Sequence, residues 1–419
     1  MLCLFERSYN QPPYIFPFLR QSTDSKMALV SRVTGDCPGC GLKNGFGKVE
    51  VFRGSYVFLG CKKCRYSERV QLPPLQKKVL YLDQYFFSHT FRGKQPEYLK
   101  VAELIEKASS MQLLVAPYSS IHEDETHQWE KRDALFKFIK ATSRGHTFKS
   151  EFEVEQTQVR KAFRAWLSKE QLEYLLEEKD ALRGDIHHWD GYMRIEVGRY
   201  MGNIELIREL KGQSVEGLVD LFDGWRQSTN TFEEDLAQEY EAVPIGYFGS
   251  YFDYIGRLVS GDVEGFLTSP VMSMMVEGLL RIAPKEVPDD GRLKMCAEFL
   301  MQSQHFRNTP THYLAARVYA TVKDMVKRGA YTNREKALKI FNGFFYDVKH
   351  LSTYAPYCDA FLLDNRMADI VSKPSVGLEQ RYGTKIFSEN NWDELISWLE
   401  ALPSTMSEEH KAGLVAAYQ

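Results

Sequence analysis

Two cysteine pairs, Cys37-x2-Cys40 and Cys61-x2-Cys64, stand twenty residues apart near the start of the chain. Each pair offers two thiolates from one tight turn, and four thiolates complete a tetrahedral Zn²⁺ shell with no open position. The spacing predicts a zinc ribbon whose metal is structural rather than catalytic. From Lys43 to Lys78, nine Lys or Arg (43, 48, 53, 62, 63, 65, 69, 77 and 78) face only Glu50 and Glu68. Phe46, Phe52, Tyr56, Phe58 and Tyr66 lie among them. Basic charge with interleaved aromatics suits phosphate contacts and base stacking. It equally describes the solvated face of a ribbon that packs on protein.

A second set of residues is acidic. Asp83 follows "VLYL", Glu125 lies in "SSIHEDET", Asp347 in "FFYDVKHL", and Asp364 follows "AFLL". The apolar runs read as buried strands, and a charge at the end of one is costly unless it is paired or holds a metal. In an open α/β sheet the carboxyl ends of parallel strands share one edge, where acids far apart in sequence converge. Carboxylates gathered without matching bases stay ionised only when cations balance them, and hard oxygen donors suit Mg²⁺ or Mn²⁺. Such a centre activates water and stabilises charge on a phosphodiester. Asp83, Asp347 and Asp364 are the expected primary ligands, with Glu125 completing the set. Asp359 stands as a further ligand, an outer group or a plain surface acid. Glu123 and Asp124 compete with Glu125. His350, one turn after Asp347, either orients substrate or serves structure.

The elements that must position these groups follow from the apolar patterning. "KVEVFRGSYVFLG" reads as a hairpin turning at Arg53-Gly54-Ser55. Strands are expected at Val79–Leu82, in "MQLLV", in "DAFLLD" and in "KIF", with a helix over roughly 96–110. A closing helix in "NNWDELISWLEAL" takes Asn391 as N-cap. This rhythm predicts an α/β fold with a parallel sheet. The stretch between, including "TQVRKAFRAWLSKEQLEYLLEEKDALRG", is strongly helical in pattern, and "EEKDALRGD" reads as a solvated helical face. The domain reading is an arm over 1–29, a ribbon over 30–72, an α/β domain from 79–130 and 335–419, and a helical insertion over 131–334.

The segments "VLYLDQYFFS", "LLVAPYSSIHEDET" and "FYDVKHLSTYAPYCDAFLLDNRM" resemble the PIN-domain nucleases. In that family the first strand ends in Asp, matching Asp83. A Ser-led turn leads to a Glu six residues on, matching Ser119 and Glu125. A helical Asp precedes a last strand closing on Asp, matching Asp347 and Asp364. The resemblance implies a PIN-like parallel-sheet sandwich and metal-dependent cleavage of RNA, less often DNA. It also implies service as a toxin or in defence against phage, where a protein partner or antitoxin can engage the helical insertion. The long insertion departs from compact members of the family. A non-catalytic adaptor, binding nucleic acid or protein through ribbon and insertion, is the rival reading.

Other motifs say less. Arg307-x4-His312 has the spacing seen in HEPN ribonucleases, but Pro310 fits the opening of a new helix better. His187-His188 reads as a loop without metal, because adjacent histidines do not share a helix face. The aromatic cluster around 247–256 reads as core or partner surface.

The chain has 419 residues, 44% hydrophobic and 26% charged, with a net charge of −3. That is the profile of a globular protein with more than one domain. Its seven cysteines, three of them scattered (Cys3, Cys296 and Cys358), are read as those of a reducing cytoplasm rather than of a disulfide scaffold. No apolar run reaches the length of a membrane span. The first residues lack the continuous apolar core of a signal peptide, and Met27 is an alternative start.

Overall fold

The structure is a computed structural model that describes residues 28–127, 129, 131–191, 215–262, 273–341 and 343–418. Most of the expected N-terminal arm, residues 1–27, lies outside the described residues. The chain divides into two compact units.

The first unit is built on an antiparallel sheet in the order β1 (Arg32–Gly35), β2 (Phe46–Phe52), β3 (Tyr56–Cys61), β4 (Ser67–Gln71). The β2–β3 hairpin turns where expected. Arg53 and Gly54 both take positive φ, and Ser55 N donates to Phe52 O at 3.1 Å. Residues 415–418, assigned from sequence to the α/β domain, cluster with this unit. Arg32 donates to Tyr418 O at 3.0 Å, and Lys48 Nζ donates to Ala417 O.

The second unit holds a parallel sheet in the order β6-β5-β7-β8, made of β5 (Lys78–Leu82), β6 (Leu114–Val115), β7 (Ala360–Leu362) and β8 (Lys385–Phe387). Strands buried on both faces read as continuous apolar runs, as "VLYL" and "AFLL" do. Leu80, Leu82, Ala360 and Leu362 face α1 (Gln84–Arg92), α2 (Pro96–Ser110) and α4 (Arg132–Thr142). Helix α2 starts on Pro96 and buries Tyr98, Val101, Ile105 and Ala108, the 3.6-residue stripe read from sequence.

Val79, Tyr81, Phe361 and Leu363 face the other way. They pack with α5 (Glu151–Leu167), α7 (Pro310–Lys327), α8 (Phe344–Tyr354) and α9 (Asn365–Val371). Thus most of the described residues of 131–334 belong to the same compact unit as the parallel sheet. Helix α4 covers one sheet face and α5 and α7 cover the other, because both faces are apolar and must be buried. A third core forms among helices, where Phe163, Phe299 and Phe306 meet Tyr247 of α6 (Phe232–Val259).

Some local expectations are corrected and others hold. The helix through "FRAWL" stops at Leu167, and "EEKD" forms a short 3-10 turn in which Asp180 is buried against Lys161. Asn391 holds the N-cap position of α10 (Trp392–Ala401) as read, but its side chain makes no capping bond; it accepts from Ser388 N and donates to Ile386 O. Residues 185–191 of the "DIHHWDGY" stretch form a loop as read, and His187 Nδ1 accepts from Lys77 N at 3.1 Å.

Candidate metal centres

The four cysteines converge. Their Sγ atoms all lie within 4.8 Å of one another, and no disulfide joins them. Cys37 and Cys64 are 3.6 Å apart, and Cys40 and Cys61 are 3.7 Å apart. A regular ZnS₄ tetrahedron with Zn–S near 2.3 Å has S···S edges of about 3.8 Å. Backbone N–H groups of Lys63 and Cys64 point at Cys61 Sγ at 3.3 and 3.4 Å, and Tyr66 N points at Cys64 Sγ at 3.4 Å. Burial raises the Cys61 thiol, but the two amides together with the neighbouring Cys37 and Cys64 thiols outweigh it and bring the group below its ordinary value. The donor set fits a thiophilic cation such as Zn²⁺.

The basic face is smaller than the sequence suggested. Lys48 is 3% exposed, turned inward where the β2 register shifts between Lys48 and Glu50. Lys77 is buried, and Lys78 pairs with Asp359 at 2.7 Å. Lys43, Arg53, Lys62, Lys63, Arg65 and Arg69 remain exposed. Arg69 lies over the Tyr56 ring and Arg53 over Phe52, and these two rings stand 5.1 Å apart beside the hairpin turn.

The acids separate into two groups. Strand order reverses between β5 and β7, with α1 and α2 on one face and α8 and α9 on the other; this is the position where open sheets bind ligands, beyond the carboxyl ends. Asp83 and Asp364 occupy it. Asp83 N donates to Leu362 O at 3.3 Å, and the Asp83 carboxylate caps α1. Asp364 caps α9, accepting from Arg366 N at 2.9 Å and Met367 N at 2.8 Å. Burial, then the charges of Glu125 and Asp364, push the Asp83 carboxyl up to about 8. Of the α3 acids (helix Ser120–Thr126), Glu125 is therefore the one that acts on Asp83. Asp124 and Glu125 both raise Tyr346, after burial.

Asp347 lies in the first turn of α8. A crossover helix runs antiparallel to its strands, which sets this turn at the carboxyl edge. His350, one turn on, is buried and bonds through Nδ1 to Tyr81 OH at 2.9 Å. This bond fastens α8 to β5 two residues before Asp83. Asp359 stands apart from this edge. It sits at the amino end of β7, across the sheet from Asp364, where it accepts from Val79 N at 2.8 Å and pairs with Lys78. Glu123 shares α3 with Glu125, and it is Glu125, together with Asp364, whose charge adds to burial in raising Asp83. Among the described residues, the cysteines are the only group of three or more metal-ligating side chains drawn within 4.8 Å of one another.

Several positioning residues escaped the sequence reading. His122 Nδ1 accepts from Ser119 N at 2.9 Å, so Nε2 carries the proton and donates to Leu82 O at 2.8 Å. The ring is buried, and burial lowers it to about 4, keeping it neutral. It ties the start of α3 to the end of β5 and so sets Glu125 beside Asp83. The signal was Ser119-x-x-His122, capping-box spacing with His in the place of Glu. Glu151, at the start of α5, accepts from Ser120 Oγ at 3.1 Å and lies 3.9 Å from His350. Burial pushes Glu151 above the ordinary carboxylate range. The Ser150–Glu153 capping box that places it is visible in sequence.

No protein-family model, no curated protein and no solved structure matches the chain. The molecule is a mixed α/β protein with a small antiparallel sheet, a parallel sheet and a cysteine cluster able to hold a metal. Within the described residues, no helix is long and apolar enough to cross a membrane.

Proposed function

We propose that this protein is a divalent-cation-dependent nuclease of PIN-like architecture, with RNA as the preferred substrate. The observation that carries the reading is the pairing of Asp83 and Asp364 at the switch point of the parallel sheet, with Glu125 within electrostatic reach. Like charges so placed favour a cation. Mg²⁺ or Mn²⁺, when bound there, supplies Lewis-acid stabilisation and an activated water. Asp83, Asp347 and Asp364 hold the cation, and Glu125 completes the anionic wall. Burial and the neighbouring carboxylates raise Asp83 in the metal-free protein, and a cation held there would favour its ionised form. His122 and His350 keep α3 and α8 in register with β5. The zinc ribbon contributes nucleic-acid contact through Arg53, Arg69, Phe52 and Tyr56. The test is cleavage of a single-stranded RNA with Mn²⁺, retained by the wild type and lost in Asp83→Asn.

Among the described residues no three carboxylates converge as closely as the cysteines do, which supports a second reading, a nucleic-acid-binding adaptor without catalysis. It predicts RNA binding that survives Asp83→Asn, with no cleavage under any divalent metal.

A further inference from the structure

On the side of α8 away from the sheet, a cleft of about 580 Å³ opens between α5, α6, α7 and α8. Phe345, Val348, Lys349 and Ser352 line it from α8. Their spacing marks one helix face, distinct from the His350 face that meets Tyr81. The volume is in the range of small-ligand sites.

The walls offer three kinds of contact. Tyr240, Tyr319 and Phe345 present aromatic surface. At the floor, Glu155 accepts from Tyr247 OH and lies 3.3 Å from His312 Nε2, while His312 Nδ1 meets Thr309 Oγ1 at 2.8 Å. These bonds and Lys349 outweigh burial and hold Glu155 below the ordinary carboxylate range, so it stays an acceptor. Thr311 lines the same cleft at 7% exposure, and its buried hydroxyl has no hydrogen-bond partner among the described residues. A buried hydroxyl without a partner is costly, and a ligand that bonds it relieves the cost. The other acid, Glu239, is matched by Lys323. Lys349 is exposed at the rim, a cation available to an anionic group.

We infer that this cleft binds a nucleoside monophosphate, its base on the aromatic wall, its ribose hydroxyls at Glu155 and Thr311, and its phosphate at Lys349. Of common small molecules, a nucleotide joins a flat ring, vicinal hydroxyls and an anion at this size. The site is separate from the sheet-edge acids and does not depend on the nuclease reading.

Calorimetric titration of the full chain with AMP and with GMP tests it. At least one should bind at one site per chain, and adenosine, guanosine and inorganic phosphate should each bind at least about tenfold more weakly. Lys349→Ala and Thr311→Val should each weaken binding about fivefold or more, and Ala315→Leu, which fills the cleft, should abolish it, with melting temperatures near wild type. Asp83→Asn should leave it unchanged. Absence of binding by either nucleotide up to about 1 mM overturns the assignment. So does equal competition by phosphate, or affinity indifferent to both Lys349→Ala and Ala315→Leu.

Discussion

Asp83 and Asp364 end neighbouring parallel strands at the same edge of the sheet, and each caps the helix that follows its strand. Asp359, only five positions before Asp364, lies at the opposite edge in an ion pair with Lys78. A three-residue strand is enough to carry the chain from one edge to the other.

This contrast gives the first prediction. Asp364→Asn should lower the Mn²⁺-dependent RNA cleavage rate at least about 100-fold, as expected for a ligand to the reacting centre. Asp359→Asn should stay within about twofold of wild type and lose at most about 1 kcal/mol of stability, because its ion pair is half exposed. Single-turnover rates and urea midpoints for the two variants check this pair of outcomes.

Asp83 gives a pH signature. Its carboxyl sits near 8 in the fold against 3.8 ordinarily, so the folded state holds the extra proton between those values. The contribution is favourable at low pH and is lost as pH rises through about 8. Metal-free wild type should therefore lose stability from pH 5 to 8 relative to Asp83→Asn, on the order of 1–2 kcal/mol after discounting for solvent at a half-buried group. Added Mn²⁺ should restore the wild type and leave the variant unmoved. Parallel pH profiles of the two proteins would contradict this.

His122 gives the opposite sign. Burial depresses its pKa to about 4 from 6.5, so its contribution is present above 6.5 and is lost as pH falls through 4. His122→Ala removes the partner of both Ser119 N and Leu82 O and should cost about 2–4 kcal/mol at pH 7. The penalty should shrink toward pH 4, where the wild-type ring also becomes unfavourable. Chemical denaturation at several pH values measures it.

The cysteine cluster predicts about one equivalent of tightly held zinc per chain, released by a strong chelator at low pH. Cys61→Ser should lose the metal and expose the remaining thiols to a thiol reagent. Zinc retained by that variant would refute the four-sulfur site.

Much of this was legible in sequence because it rests on local patterning. The CxxC pairs, the hairpin at Arg53-Gly54 and the runs before Asp83 and Asp364 each carry their own signal. What failed depended on register or on distant partners. Lys48 counted as a surface cation until a register shift in β2 turned it inward. Asp359 stood open between ligand, outer group and surface acid because composition does not show that Lys78 and Val79 N face it across the sheet. Helix α4 read as part of an insertion, yet Leu135 and Ile139 close the core over Leu80 and Leu82. His122 was invisible as a clasp because one of its partners, Leu82 O, lies forty residues away.

The most direct test is anomalous diffraction from crystals soaked in Mn²⁺. The account predicts a peak between Asp83 and Asp364, within about 2.2 Å of a carboxylate oxygen of each or joined to it through one water, with Glu125 or Asp347 close by. A fully soaked crystal with no peak at that edge, and manganese only elsewhere on the surface, would contradict it.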